Sequence, residues 1–186
     1  MKNEKMKINR TKILFSLIFL ATIGSGLWYY HTADRGPIYE YQANRDTQDI
    51  LSLFKSDWYW LVADDEYSPE FMLKYRAPRQ DRMYEGRLRI KVLREGDQFI
   101  GFSAYYMKTK TIGFINFIAI KPAFRGKRYA DILMRDALDG LINMGATEIQ
   151  LVTRPTNINA QKVYRRFNFE ETYNDGEFVY FTYYVH

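Results

Sequence analysis

The sequence predicts an α/β domain: a central mixed, twisted sheet of about six to seven strands flanked by helices, with one apolar N-terminal helix ahead of it. Three features predict this. Strand and helix patterns alternate through residues 111–167. Hairpin patterns stand on either side of that run, at 87–107 and at the C-terminus. An uncharged stretch of 18 residues, 13–30, stands apart from the rest.

In chain order, residues 1–12 form a basic tail, with Lys2, Lys5, Lys7, Arg10 and Lys12 against Glu4. Residues 13–30 read ILFSLIFLATIGSGLWYY. As a helix they span roughly 27 Å, near the ~30 Å hydrocarbon core of a bilayer. Trp28, Tyr29 and Tyr30 fall where an aromatic belt would sit. A transmembrane anchor in the lipid bilayer is expected, with a signal segment cleaved near Gly24, Ser25 and Gly26 as the alternative. The flanking positive charge sets the N-terminus in the cytoplasm. The expected localisation is a single-pass membrane protein, or an exported one after cleavage.

Residues 31–44 read as a linker punctuated by Gly36 and Pro37, and 45–186 as the folded domain. A helix is expected over 46–54, with Ile50, Leu51 and Phe54 on one face. The apolar WYWLV at 58–62 reads as a short strand. Ser68 and Pro69 open a short helix in SPEFMLKY. In RLRIKVLR, Leu88, Ile90 and Val92 alternate with Arg87, Arg89 and Lys91, which marks a half-buried strand. EGD at 95–97 turns it into QFIGFSAYYMK. TIGFINFIAI at 111–120 is nearly all apolar and suits the sheet centre; Pro122 ends it. After Gly126 a helix sets Ala130, Leu133, Met134, Ala137, Leu141 and Met144 on one face, and Gly145 closes it. TEIQLVT at 147–153 is a strand broken by Pro155. Thr156 or Asn157 then caps a helix that stacks Ala160, Val163, Tyr164 and Phe167. FEETY and EFVYFTYYV, joined through Asn174, Asp175 and Gly176, make the last hairpin.

Composition removes several kinds of chemistry. There is no cysteine, so disulfides, thiolate metal sites and a cysteine nucleophile are excluded. Only His31 and His186 offer imidazole, which argues against a histidine-based catalytic centre or zinc site; no metal is expected. The net charge is +5, but residues 1–30 carry 5 basic side chains against 1 acidic. Residues 31–186 carry 22 basic and 21 acidic, so no nucleic-acid partner is expected.

The turn FRGKRY, between the strand at 111–120 and its helix, concentrates positive charge. The first amides of a helix lack intrahelical acceptors, and the helix dipole adds about half a positive charge. Such a mouth is a phosphate site or a solvated basic loop. Gly126 allows close backbone approach, and Arg125, Lys127 and Arg128 supply cations.

FIAIKPAFRGKRYADILM resembles motif A of the GNAT superfamily of acetyl-CoA-dependent N-acetyltransferases, a strand ending in V-x-P followed by R/Q-x-x-G-x-G/A. Arg125 matches the first position and Ala130 the last, while Arg128 stands at the central glycine. NINAQKVYRRFNF, residues 157–169, resembles motif B, N-x-x-A-x-x-L-Y-x-x-x-G-F. Asn157, Ala160, Tyr164 and Phe169 match; Val163 stands for Leu and Asn168 for Gly.

The resemblance implies a GNAT-like sheet and a membrane-tethered N-acetyltransferase, with acetyl-CoA as co-substrate and an amine acceptor in a small molecule, peptide or protein. It implies that main-chain groups along Ile118, Ala119 and Ile120 bond the pantetheine arm. Arg125, Gly126, Lys127, Arg128, Tyr129 and Ala130 would hold the pyrophosphate, and Asn157 would contact the pantetheine region. Tyr164 would be the general acid that protonates the departing thiolate. A phenol can serve that task, because with a pKa of about 10 it still carries its proton at neutral pH. By spacing alone, Tyr164 is a core tyrosine with a wet hydroxyl and Asn157 a helix cap.

No general base stands out: Asp64, Asp65 and Glu66 form an acidic turn, and Tyr105 or Tyr106 would only order a water. Arg76, Arg79, Arg82 and Arg87 suggest an acidic acceptor while the acidic turn suggests a basic one, so the acceptor stays open. Flanking charge places the domain away from the main supply of acetyl-CoA. The alternative function is therefore a non-catalytic or degenerate GNAT-fold binding module, exported or anchored at a membrane.

Overall fold

The computed structural model describes residues 38–62, 66–77 and 85–185. Its elements in chain order are β1 (Ile38–Glu40), α1 (Ala43–Leu61), α2 (Pro69–Tyr75), β2 (Glu85–Glu95), β3 (Gln98–Met107), β4 (Ile112–Ile120), α3 (Tyr129–Asn143), β5 (Glu148–Thr153), α4 (Ile158–Arg166), β6 (Glu170–Asn174) and β7 (Val179–Tyr184). The basic tail, the apolar stretch 13–30, Asp64, Asp65, Arg79 and Arg82 lie outside the described residues. No helix among the described residues is long and apolar enough to cross a membrane.

Among the described residues, seven strands form one mixed sheet in the order β1-β2-β3-β4-β5-β7-β6, as the alternation and flanking hairpins require. Only β4 and β5 run parallel, because α3 returns the chain between them. The other neighbours are antiparallel. Helices cover the sheet through separate cores. Ile50, Leu53 and Phe54 of α1 and Met72 of α2 pack with Leu88, Ile90, Val92 and Phe117. Met134, Ala137 and Leu141 of α3 pack with Ile115, Ile149, Leu151 and Phe181, and α4 adds Val163 and Tyr164. Burying each such side chain contributes about 1.5–3 kcal/mol.

Two local expectations change. WYWLV is not a strand: α1 continues through it to Leu61, with a kink at Asp57. Trp58 and Leu61 extend the stripe begun by Leu51 and Phe54, so a helical period satisfies the apolar run while Tyr59 and Trp60 stay exposed. Short apolar runs do not distinguish the two periods by themselves. The span read as linker contains β1, whose Ile38 pairs with Leu93 and Glu40 with Lys91 at the sheet edge.

The local signals elsewhere act as expected. The Ser68 hydroxyl accepts from the Phe71 amide at 3.1 Å and caps α2 behind Pro69. Gly145 takes φ 95° just past the end of α3. The Asn157 side chain accepts from the Ala160 amide at 3.3 Å and starts α4.

The pairing of β3 with β4 is interrupted once. Tyr105 pairs with Ile115 and Ala104 with Phe117, which leaves Asn116 as the extra residue of a bulge in β4. Past the bulge, β4 bends away from β5.

Candidate active site

β4 and β5 pair only at Ile112↔Glu148, Gly113↔Ile149 and Phe114↔Gln150. From there both strands run on without pairing, to Ile120 and Thr153. A cleft of about 880 Å³ opens between them, large for a ligand site. The edge of β4 that faces it has main-chain groups to offer. The Lys121 amide donates to Ile100 O at 2.8 Å, and Ala119 O lies where a Cβ on Gly101 would stand, 2.3 Å away. Ala119 and Lys121 thus face β3, and by alternation Ile118 and Ile120 present theirs to the cleft. Gly101 is what permits β3 and β4 to approach so closely there.

The mouth of α3 forms the next wall. After Ile120 the chain makes one 3-10 turn, Pro122–Phe124, then takes positive φ at Gly126 (76°) and again at Arg128 (64°). The amides of Gly126, Lys127, Arg128, Tyr129 and Ala130 have no acceptor among the described residues. Five N–H groups at a helix N-terminus make an anion cradle.

The cationic side chains expected to surround an anion are placed unequally. Arg125 Nε donates to Ile120 O at 2.9 Å and Nη2 to Asp57 Oδ2 at 2.7 Å, so this arginine ties the loop to the kink of α1. Arg128 Nε donates to Asp131 Oδ2 at 2.9 Å. Asp131 is buried and also takes a bond from Arg166 of α4. Lys127 does not line the cleft; its ammonium lies 5.5 Å from the Phe124 ring centre. The Tyr129 hydroxyl donates to Glu95, and that bond holds its pKa above the ordinary value. Ala130 lines the cleft.

Tyr164 and Asn157 both line the cleft from α4. The Tyr164 ring packs edge-on to Phe181 at 5.5 Å and tilts against Phe169 at 6.2 Å, while its hydroxyl meets the Thr153 side chain. Burial pushes its pKa up to about 12, with the Thr153 hydrogen bond pulling the other way. The core role and the place at the site therefore coexist in one residue: the ring is packed, the hydroxyl bonds the Thr153 side chain, and both residues line the cleft. Tyr105 and Tyr106 are buried away from it; Tyr105 packs against Gly140 of α3 and Tyr106 stacks on Phe114.

Several cleft residues were not legible in the sequence. Tyr67 follows α1, stacks on Phe54 and meets Phe117 edge-on, with its hydroxyl buried and unpartnered among the described residues. The Asn116 Nδ2 shares that condition. Asn116 was visible as a polar residue in an apolar strand, but its bulge was not. Arg154 and Arg166 carry no signal in sequence, because their partners are remote. Among the described residues, the lining holds five cationic side chains, Arg125, Arg128, Arg154, Lys162 and Arg166, against Asp57 and Asp131. That excess favours an anionic ligand.

The profile of the Acetyltransferase (GNAT) family matches residues 47–169. No curated protein matches the chain by sequence. Among solved structures, Ard1 from Thermoplasma volcanium shares the fold with a TM-score of 0.63 at 18% identity, over 81% of this chain and 98% of its own. The PaiA N-acetyltransferase from Thermoplasma acidophilum, solved in complex with coenzyme A, gives 0.61 at 16%, over 80% and 98%. A ribosomal-protein-alanine N-acetyltransferase from Brucella melitensis gives 0.63 at 11%, over 80% and 99%. Likeness at such identities speaks for the fold. The profile match spans the splayed strands, the helix mouth and the tyrosine that define the cleft, and on it the chain belongs to the GNAT family of acetyltransferases.

Proposed function

We propose that this chain transfers the acetyl group of acetyl-CoA directly to an amine acceptor, tethered to a membrane by residues 13–30. One observation carries the reading: the edge of β4 left unpaired by β5, four of the five residues with free amides at the mouth of α3 (Gly126, Arg128, Tyr129 and Ala130) and Tyr164 line a single cleft. These residues fit the donor. Ile118 and Ile120 offer main-chain groups to its amide-bearing pantetheine arm, as an added strand would. The amides from Gly126 to Ala130 take the diphosphate. Arg128 and Arg166 neutralise Asp131, which would otherwise set a negative charge beside that anion. Asn157 keeps α4, and with it Tyr164, at the cleft wall.

The donor supplies an activated acetyl thioester. The Tyr164 hydroxyl, protonated at every physiological pH, gives its proton to the sulfur as the amine attacks. The two carboxylates that line the cleft among the described residues, Asp57 and Asp131, are held by arginines, so neither serves as a free base. The amine arrives neutral, its nitrogen forms the C–N bond as the C–S bond breaks, and the proton it then sheds passes through water to the phenolate left on Tyr164.

The test is release of free CoA thiol from acetyl-CoA by the full chain across a panel of primary amines, with CoA binding followed by calorimetry. Amine-dependent release supports transfer. Tight CoA binding with no release for any amine would leave only the binding module. Protease accessibility of the domain in sealed vesicles tests the tether and its orientation.

A further inference from the structure

We propose that Arg154 recognises the acceptor, and that the acceptor is an amine bearing a carboxylate. The inference rests on the transferase reading of the same cleft. The mouth of α3, where an anionic donor is held, belongs to the side of the sheet covered by α3 and α4. Away from that mouth, Trp60 at the end of α1, Tyr67 and Phe178 line the same cleft. Arg154 lines it too, directly after Thr153.

Its guanidinium is built in place. Nε donates to Tyr59 O at 2.8 Å and Nη2 to Val62 O at 3.3 Å. Its guanidinium carbon lies over the Tyr59 ring, 4.4 Å from the ring centre, and over the Phe178 ring at 5.2 Å. The side chain is only 17% exposed, yet Nη1 has no hydrogen bond among the described residues. The nearest carboxylate among them, Glu177 Oε1, is 3.8 Å away on a side chain that is 66% exposed. An oriented guanidinium with spare donors is a carboxylate receptor.

Two further observations agree. Tyr67 and Asn116 line the same cleft, and Tyr67 Oη and Asn116 Nδ2 are buried without partners among the described residues, two polar groups left for a ligand to satisfy once it displaces what covers them. No free carboxylate among the described residues lines it to hold a polycation, since Asp57 and Asp131 are both engaged. Free amino acids share this chemistry with peptides whose acidic residue adjoins the free amine. The aromatic wall suits an aromatic or apolar side chain.

The test measures acceptor binding to the full chain saturated with CoA. Phenylalanine is compared with phenethylamine, which lacks the carboxylate. In parallel, aspartyl-alanyl-alanine amide is compared with its asparaginyl counterpart. A preference of about tenfold or more for the carboxylate is expected in one pair. Preference in the first pair assigns a free amino acid, and in the second a peptide; no preference in either overturns the proposal. Arg154→Gln should remove the preference for the carboxylate. Because Arg154 also ties β5 to α1, Glu177→Gln gives an independent reading. Removal of the competing carboxylate should tighten the preferred ligand by about threefold, and unchanged or weaker binding counts against the assignment. Turnover is recorded separately: carboxylate-selective binding without CoA release would defeat the transferase reading and keep the subsite.

Discussion

Arg125 Nη2 lies 2.7 Å from Asp57 Oδ2, joining the loop before α3 to the kink of α1 across 68 positions of sequence. Asp57 is the residue where α1 leaves helical geometry, at φ −124° and ψ 23°. The same guanidinium holds Ile120 O, so one side chain fixes three parts of the cleft.

Loss of that link should loosen the donor side. Arg125→Ala or Asp57→Ala is expected to cost about 1–2 kcal/mol, a modest figure because the arginine is half exposed. The KM for acetyl-CoA should rise more than kcat falls. Denaturant titration with a double-mutant cycle checks the pairing, and additive single effects would show that the two groups do not act together.

Both departures from the family's glycine pattern fall on left-handed backbone. Arg128 has φ 64° and Asn168 φ 61°. A side chain other than glycine costs about 1 kcal/mol there, less for Asn than for Arg. Arg128→Gly should therefore stabilise the domain by about 0.5–1 kcal/mol, since the exposed half of its bond to Asp131 is worth little. Asn168→Gly should change stability by a smaller amount of the same sign. Thermal unfolding tests both, and a clear loss of stability in Arg128→Gly would mean that the Asp131 contact outweighs the backbone strain.

Tyr164→Phe keeps the ring packing and removes the proton. The kcat is expected to fall by about 10²-fold or more with little change in the KM for acetyl-CoA. The wild-type rate should rise with pH as the amine deprotonates and should not turn down near pH 10, because burial holds the phenol up to about 12. A downturn with an apparent pKa near 10 would point to an exposed phenol instead. The linked stability has a definite sign. The folded value exceeds the unfolded one of about 10, so this contribution is whole below pH 10 and is lost as the pH climbs toward about 12.

Acid stability rests on Asp46, fully buried beneath Arg94 with Nε to Oδ1 at 3.0 Å. Burial pushes its carboxyl up, but the bonds from Arg45, the Gln42 amide and Arg94 outweigh it, and the pKa sits below the ordinary value. A lowered carboxylate stabilises the fold above its unfolded pKa of about 4 and loses that contribution as the pH falls through the folded value. Asp46→Asn leaves the buried Arg94 with Asp49 as its remaining carboxylate partner and should cost about 2–3 kcal/mol. It should also flatten the acid limb of a stability–pH curve, while an unchanged limb would shift the acid sensitivity to other carboxylates.

How far the site was readable depends on where each partner lies. Gly126, Asn157 and the stripe through Tyr164 announce themselves because their signals are local: a positive φ, a cap three residues from its amide, an i, i+3, i+4 spacing. The same holds for the two hairpins and for the apolar strand at the sheet centre. The expected strand at 58–62 fails because five apolar residues fit either period, and only the core beneath α1 selects the helix.

By itself the sequence determined the order of strands and helices, the helix mouth with its glycine, and the two motifs that resemble the GNAT pattern, since all of these depend on residues within a few positions of one another. Tertiary structure alone decided the rest: that Arg125 is bound to Asp57 and Arg166 to Asp131, that β4 bulges at Asn116 and parts from β5, and that Arg154 lies against Tyr59 and Phe178 with spare donors. The reason is physical. The energy of a charge or a buried hydrogen-bonding group depends on which groups packing brings within a few ångströms, and those groups lie tens of residues away along the chain.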